Sequence, residues 1–256
     1  MRKLLITVIA TVTAANLWAI QGTLITGTET LKGNIKWKAR TKQYVVTVKK
    51  GSTEVDLERK LEDVERLDIP KPAGYDKAVQ QVEAGQGIGA ISILSKIVSE
   101  YRMLQWDKPA GRYLVYAYLA SNQPQKAYEA CVPIVNEDKS AAYTGDLASA
   151  YWQALRKLGK RDQLNVLVKK AASHGDRRSS AAALVMRGDI IVADSNDAPD
   201  KLRQALSDGY LRVVLMYADP ECAREREEAL NKAAQCFDKL GQSARAENLR
   251  AQARGM

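Results

Sequence analysis

The sequence is poor in the residues that build metal centres and disulfide frameworks, with one histidine and three cysteines among 256 residues. A metal site with several histidine ligands and a zinc site with four cysteine ligands are therefore both excluded. A dense network of disulfides is excluded as well. A chain of this length buries a core without such cross-links, and it corresponds to between one and two domains.

Long apolar runs are also scarce, and the most pronounced one lies at the N-terminus. Two basic residues precede the stretch from Leu4 to Ala15, in which only threonines interrupt apolar and small residues. This pattern is typical of a secretory signal peptide, and it is shorter than the roughly 20 residues that cross a bilayer. We predict a signal peptide over residues 1–19, with cleavage after Ala19 or alternatively after Ala15. An uncleaved N-terminal anchor is the remaining alternative.

The predicted export places the protein in the periplasm or outside the cell. The N-terminal apolar run is not followed by a cysteine, so we expect neither a lipoprotein nor, after cleavage, a membrane-spanning chain. Cys222 and Cys236 lie 14 residues apart in one predicted helix, which separates them by about 21 Å, far beyond disulfide reach. We expect Cys131 and Cys236 to be buried thiols, whereas the redox state of Cys222 stays open.

The composition changes at Pro70-Lys71-Pro72. Residues 20–69 are rich in threonine, valine, isoleucine and lysine, and residues 70–256 are rich in alanine, leucine, glutamine and lysine. Because each proline disfavours helix in the residue before it, this element is typical of a boundary. The sequence therefore predicts a small β-domain over residues 20–69 and a helical domain over residues 70–256.

The first region alternates with a period of two, which predicts half-buried antiparallel strands. Ile35 and Trp37 alternate with lysines, a second strand follows from Tyr44, and further strands are expected near Val55 and Val64, the last after a helical turn. The segments LKGNIKW, QYVVTVKKG and DVERLDI resemble the SH3-like or Sm-like small barrels. Four or five short strands of this length form either a small barrel or a curled sheet; the resemblance implies the antiparallel barrel and names no ligand.

The second region contains an internal repeat, marked by residues suited to the left-handed conformation that closes a helix. The first four of these residues are 37 positions apart, and the last step is 45. The extra eight residues correspond to about two helical turns. Small or apolar residues recur at fixed distances from each marker, so we predict about five helical hairpins. The markers are Gly85, Asn122, Gly159, Asn196 and Gly241.

A helix–turn–helix unit of this size, with segments such as AYLASNQPQKAYEA and LRKLGKRDQL, resembles the tetratricopeptide (TPR) repeat. The resemblance covers residues 73–254, with a period of 37 instead of the usual 34. It implies a mainly α protein, an α-solenoid of the TPR-like kind, whose groove takes peptides or protein partners. A non-repetitive helical bundle is the alternative.

No motif in the sequence predicts catalysis, a cofactor or a metal. His174 lies in the connector SHGDRR, which is typical of an exposed loop, and Asp189 and Asp194 form a pair of carboxylates in an apolar segment. The segment DSNDAPD lacks the central glycine and the final glutamate of a calcium loop. The glycines of GQGIG follow a helix instead of the strand that a nucleotide-binding fingerprint requires. We expect no enzyme, with a hydrolase that uses unrecognised carboxylates as the least favoured alternative.

Two surfaces are candidates for binding. The first is a basic face on the predicted barrel, because seven cations and no acidic residue occur from Thr30 to Thr53. Such a face attracts anionic glycan or lipid, although the seven acids from Glu54 to Asp68 are able to neutralise it. An exported protein meets little nucleic acid, so that partner is not expected. The residues proposed for this face are Lys36, Lys38, Arg40, Lys49 and Lys50.

The second surface is the groove of the solenoid, where aromatic residues concentrate in the second and third repeats. The candidate groove residues are Tyr113, Tyr116, Tyr128, Tyr151 and Trp152, and packing in the core is the alternative role for each of them. We therefore expect a non-catalytic protein-interaction or assembly scaffold of the bacterial cell envelope, which binds a protein or peptide there. The alternative is a binder of anionic surfaces, such as peptidoglycan, glycan or lipid, through the basic face.

Overall fold

The computed structural model describes residues 19–255, so the predicted signal peptide lies outside the described residues apart from Ala19. The chain divides after Pro70 into two compact units, called here the sheet unit and the helical unit. None of the helices within residues 19–255 combines the length and the apolar character that crossing a bilayer requires.

Over residues 19–70, the sheet unit is one antiparallel sheet of five strands in the order β4-β3-β2-β1-β5. Its buried face is built from alternate residues, among them Leu24, Ile35, Tyr44 and Val46, because successive side chains of a strand point to opposite faces. A single 3-10 turn, Leu61–Asp63, precedes the last strand, as the sequence predicted. The strands are β1 Ile20–Thr26, β2 Thr30–Lys38, β3 Gln43–Lys50, β4 Thr53–Lys60 and β5 Val64–Asp68.

The closed barrel that the sequence predicted over residues 20–69 is wrong, because the sheet is open. β4 and β5 are its two edges, and no ladder joins them within the described residues. β5 has five residues, and its pairing with β1 already shifts register between Ile25 and Thr26. A barrel closes only when its two edge strands pair with each other. Here β5 pairs with β1 and not with β4.

The helical unit is a stack of five helical hairpins, which confirms the predicted mainly α architecture. The first hairpin pairs α1 (Tyr75–Glu83) with α2 (Gly87–Glu100), and the second pairs α3 (Asp107–Ala120) with α4 (Pro124–Glu137). The third consists of α5 (Ala148–Lys157) and α6 (Arg161–His174). The fourth is built from α7 (Arg177–Ala193), α8 (Pro199–Ala205) and α9 (Leu211–Met216), and the fifth from α10 (Ala223–Lys239) and α11 (Ser243–Arg254).

The predicted helix-closing residues all adopt the left-handed conformation. Their φ angles are 76° at Gly85, 55° at Asn122, 67° at Gly159, 44° at Asn196 and 71° at Gly241. At the third of these, the amide of Lys160 donates to the carbonyl of Leu155 over 3.0 Å, which is the bond that closes a Schellman motif. The period of 37 therefore marks real turns between paired helices.

Four of the eight extra residues of the last spacing lie in the second helix of the fourth hairpin, which spans residues 199–216, whereas α2, α4 and α6 have 14 residues each. There a π-helical turn, Leu206–Tyr210, joins α8 to α9. The connection before α8 is also longer, so the repeat shifts by one residue. Lys201 lies five residues after its marker, as the buried Ala90 and Ala127 do after theirs, but Lys201 is exposed and Leu202 is buried instead. The predicted burial of Cys131 and Cys236 is confirmed, and Cys222 is a buried free thiol as well.

Candidate functional site

The first helices of successive hairpins form one continuous layer of the helical unit. α1 contacts α3, α3 contacts α5, α5 contacts α7, and α7 contacts α10. Two neighbouring cavities open along this layer, with volumes of about 230 Å³ and about 180 Å³. Both are lined by Ser149 and Ala182, so they form one surface depression. We call it the partner groove.

The larger cavity is lined mainly by charged side chains from four segments. Arg112 comes from α3, Asp146 from the turn before α5, Arg178 from α7 and Glu225 from α10. Arg112 lies 3.9 Å from the carboxylate of Asp146, and Nε of Arg178 lies 3.5 Å from Oε1 of Glu225. These contacts are longer than well-formed charge-assisted hydrogen bonds, which measure about 2.7–2.9 Å.

Two polar atoms of this cavity wall are buried and have no hydrogen-bonding partner among the described residues. They are Oε2 of Glu225 and Nε of Arg112. Glu225 is only 9% exposed. Because a buried polar group without a partner costs about 1–3 kcal/mol, two such atoms in one cavity mark a place that favours a ligand.

The smaller cavity has the opposite character, because its charges satisfy each other. The carboxylate of Asp189 accepts from Nη1 of Arg156 at 2.8 Å, from Nζ of Lys232 at 2.6 Å and from the hydroxyl of Tyr210 at 2.9 Å. Burial, reinforced by that carboxylate, raises the pKa of Tyr210. Asp189 thus joins α5, α7, α10 and the π-helical turn, and its role is structural.

An aromatic surface continues from the larger cavity along α3 toward α1. The guanidinium of Arg112 lies 5.5 Å from the ring centre of Tyr113 and 5.7 Å from that of Tyr116. Tyr75 contacts Tyr113 and Trp106 edge-on, with ring centres 6.3 Å and 5.2 Å apart. Burial raises the pKa of Tyr75 to about 12. These partly exposed rings extend the partner groove with an apolar segment.

The predicted groove residues separate into two sets. Tyr113 and Tyr116 lie together on α3, with ring centres 6.3 Å apart, and both are partly exposed. Tyr151 and Trp152 are buried, and Nε1 of Trp152 donates to the carbonyl of Ala142 over 2.9 Å. Both side chains pack in the core, and Trp152 also lines the smaller cavity, so contact of these two residues with a partner stays a prediction.

Tyr128 lies outside the layer of first helices, on α4. Its ring stacks on Tyr151 with centres 5.8 Å apart, and Nζ of Lys160 lies 4.0 Å from its centre. A helical pattern does not tell which aromatic residues face inward, because core and groove positions both favour large side chains. Tyr128 therefore acts as packing between the second and third hairpins.

The basic face of the sheet unit is partly neutralised by the acidic strand β4. Nζ of Lys38 forms an ion pair with Glu58, and Lys49 lies directly opposite Glu54 in the ladder. Lys36 lies on the same face as Lys38, because the two are separated by one residue of β2. The prediction for Lys50 is wrong, because Lys50 follows Lys49 directly in β3 and points to the opposite face of the sheet. Arg40 lies in the turn before β3. The face thus carries mixed charge.

The residues considered for catalysis have other partners. His174 is exposed at the end of α6, and its Nδ1 is 2.8 Å from the hydroxyl of Ser173. Asp194 pairs with Arg161, apart from the Asp189 cluster. Within residues 19–255, no group of three or more histidine, cysteine or acidic side chains is arranged to hold a metal ion.

Asp176 caps α7 and ties it to the turn before α5. Its carboxylate accepts hydrogen bonds from the amides of Ser179 and Gly145, both over 2.8 Å, and from the hydroxyls of Thr144 and Ser179. Burial acts to raise the pKa of Asp176, but these hydrogen bonds outweigh it and lower the pKa to about 2. The ionised carboxylate therefore stabilises this junction between the third and fourth hairpins.

The lowered pKa of Asp176 predicts a pH-dependent stability. Since the pKa in the folded state lies below the ordinary value of 3.8, the stabilisation is complete above about pH 4 and disappears as the pH falls toward about 2. We expect Asp176→Asn to lower the free energy of unfolding at pH 7 by about 1 kcal/mol, after allowance for solvent exposure. Urea denaturation of both proteins between pH 7 and pH 2 measures this difference, and a difference independent of pH would contradict the assignment.

Several groove residues were not predicted from the sequence, although they share one position of the repeat. Tyr75, Arg112, Ser149 and Met186 each lie ten residues before a helix-closing residue. The last three line the cavities, and Tyr75 lies in the aromatic surface. The column was overlooked because its side chains differ in chemistry, although their position in the repeat is the same.

Comparison with known proteins gives only distant structural similarity. No protein-family model and no curated protein matches the chain. Among solved structures, the nearly identical TPR-like repeats of a kinesin light chain from Podosopora anserina match at 17% identity and a TM-score of 0.43, covering 72% of this chain and 92% of that one. BtubC (BKLC) from P. vanneervenii matches at 15% identity and a TM-score of 0.40, covering 71% and 87%. What the helical unit binds has to be inferred from its own residues.

Proposed function

We propose that this protein is a non-catalytic interaction scaffold of the bacterial cell envelope, which binds an extended segment of a protein partner along the partner groove. The observation that carries the proposal is the pair of adjoining cavities on the layer of first helices, which share Ser149 and Ala182. Stacked helical hairpins commonly use such extended surfaces for recognition.

The chemistry of the groove favours a peptide over a compact small molecule. The two cavities and the aromatic surface beyond Arg112 form an elongated series, in which apolar rings are followed by charged side chains. An extended chain presents successive side chains to such a series and also main-chain donors and acceptors to its polar walls. Tyr113 and Tyr116 supply rigid contact area of the kind that dominates interface energetics.

The proposed location rests on the N-terminal sequence. The first strand of the sheet unit begins at Ile20, so cleavage after Ala19 leaves it intact. We predict that the mature protein from the envelope fraction of bacteria begins at Ile20. Mass spectrometry of the intact purified protein checks this, with Asn16 as the first residue if cleavage follows Ala15. A protein that retains residues 1–19 in the cytoplasm would contradict the proposed location.

Site-specific photo-crosslinking in living bacteria tests the proposed function. A photoreactive amino acid replaces Ser149 in the groove or, as a matched control, Val166, which is 67% exposed on the second helix α6. We expect one discrete adduct with an envelope protein from position 149 and none from position 166. Identical adducts from both positions, or no adduct from position 149, would overturn the proposal.

A further inference from the structure

We propose that the larger cavity of the partner groove is a specificity pocket for a cationic side chain, lysine or arginine, of the bound peptide. Glu225 is the counter-ion of that side chain, and Arg112 holds a main-chain carbonyl beside it. This inference rests on the proposed function and adds to it the class of peptide that the groove selects.

Glu225 is placed to act as an anchor for a cation. It lies in the first turn of α10, is 9% exposed and lines the cavity. Its Oε2 accepts no hydrogen bond from the described residues, and its Oε1 has only the 3.5 Å contact with Arg178. Hydrogen bonds between an ammonium or guanidinium group and a carboxylate are about twice as strong as neutral ones. A cationic side chain supplies the donors that Glu225 lacks.

Arg178 is the side chain that a cationic ligand replaces beside Glu225. The side chain of Arg178 is 42% exposed, and its contact with Glu225 is long. The exchange leaves no buried charge unpaired, because the incoming cation takes the place of Arg178 beside Glu225 and the partly solvated Arg178 regains water. An incoming lysine or arginine therefore displaces Arg178 toward solvent at low cost and gains a shorter contact with the same carboxylate.

Arg112 complements Glu225 with a hydrogen-bond donor. Its side chain is 12% exposed, its Nε has no partner among the described residues, and its guanidinium rests against the rings of Tyr113 and Tyr116. A side chain held by two rings loses little conformational freedom on binding. A peptide carbonyl next to the anchored cation provides the acceptor that Nε needs.

The charges around the cavity favour a cation over an anion. Its wall carries three carboxylates, those of Asp146, Asp176 and Glu225, against the two guanidinium groups of Arg112 and Arg178. The volume of about 230 Å³ is several times the roughly 30 Å³ that one water molecule occupies in the liquid. The cavity thus has room for one long side chain, and its excess negative charge repels acidic ones.

A positional-scanning library of random nonapeptides, bound to the immobilised full-length protein, tests the inference. We expect lysine and arginine to be enriched at one position by about tenfold over glutamine and norleucine. In Glu225→Gln, which keeps the shape of the side chain, we expect that preference to disappear. Glu227→Gln is the matched control, because Glu227 is exposed on the same helix α10 and lines neither cavity of the partner groove.

The enriched peptide and its norleucine variant then complete a double-mutant cycle by calorimetry. We expect the lysine-to-norleucine change to weaken binding to the wild-type protein by about tenfold, and to leave binding to Glu225→Gln unchanged. Enrichment of peptides without a cation, or a cation preference that survives Glu225→Gln, would overturn the inference and leave the proposed function intact. If no peptide is enriched at all, both the inference and the proposed function are contradicted.

Discussion

Replacement of Trp152 with alanine is expected to lower the free energy of unfolding by about 3–5 kcal/mol, the usual cost of removing a large buried aromatic side chain. Trp152 is completely buried among the helices of the second, third and fourth hairpins, where its neighbours include Leu155, Val115 and Met186. The substitution leaves a cavity and also deprives the carbonyl of Ala142 of the indole donor. Urea denaturation followed by circular dichroism measures the change.

Two further variants separate packing from hydrogen bonding at this position. Trp152→Phe retains much of the ring and loses only the donor, so we expect a smaller loss of about 1–3 kcal/mol. Val166→Ala, at a residue that is 67% exposed, should stay within about 0.5 kcal/mol of the wild type. If Trp152→Ala were as stable as Val166→Ala, Trp152 would have to lie at the surface, which would contradict its place in the core.

Asp189→Ala is expected to cost about 2–3 kcal/mol, because it removes the common partner of three side chains. The carboxylate is 10% exposed, whereas Arg156 and Lys232 are 43% and 25% exposed and regain water when it is lost. The hydroxyl of Tyr210 is buried, so it does not regain water when the carboxylate is lost and is left without this acceptor. The loss should appear in thermal or urea unfolding of the helical unit.

Asp194→Ala is the matched control for Asp189→Ala. Asp194 also pairs with an arginine one repeat earlier, Arg161, but both side chains are exposed, at 38% and 64%. Because an exposed pair of this kind contributes about 0–1 kcal/mol, we expect Asp194→Ala to have little effect. Equal destabilisation by the two substitutions would show that burial of the Asp189 cluster does not contribute to the free energy of unfolding.

The helical part of the fold was predictable because its signals are local. A left-handed residue such as Gly159 closes a helix through bonds to residues a few positions away, so a single sequence carries the whole signal. The open sheet was not predictable for the opposite reason. Whether β4 pairs with β5 depends on a contact between distant edges, and the alternation of apolar residues is the same in a closed barrel and an open sheet.

The sequence predicted that the solenoid has a groove, but it did not predict which side chains face that groove. Tyr113 and Trp152 look equivalent in sequence, but the first is partly exposed beside Arg112 and the second is buried. Glu225 gave no signal, because an acid in the first turn of a helix is ordinary. Its significance arises from the missing hydrogen bond at Oε2, which depends on helices far apart in the sequence.

One measurement tests the central claim most directly: the affinity of the most enriched nonapeptide for Ser149→Trp compared with Val166→Trp. Ser149 lines both cavities, so an indole there fills the groove, whereas Val166 is exposed on α6 and serves as a control of equal size. With both variants folded by circular dichroism, the account predicts that Ser149→Trp weakens binding by about a hundredfold or more, since it excludes the ligand from the groove, and that Val166→Trp binds like the wild type. Equal binding by both variants would contradict the claim that the groove is the binding site.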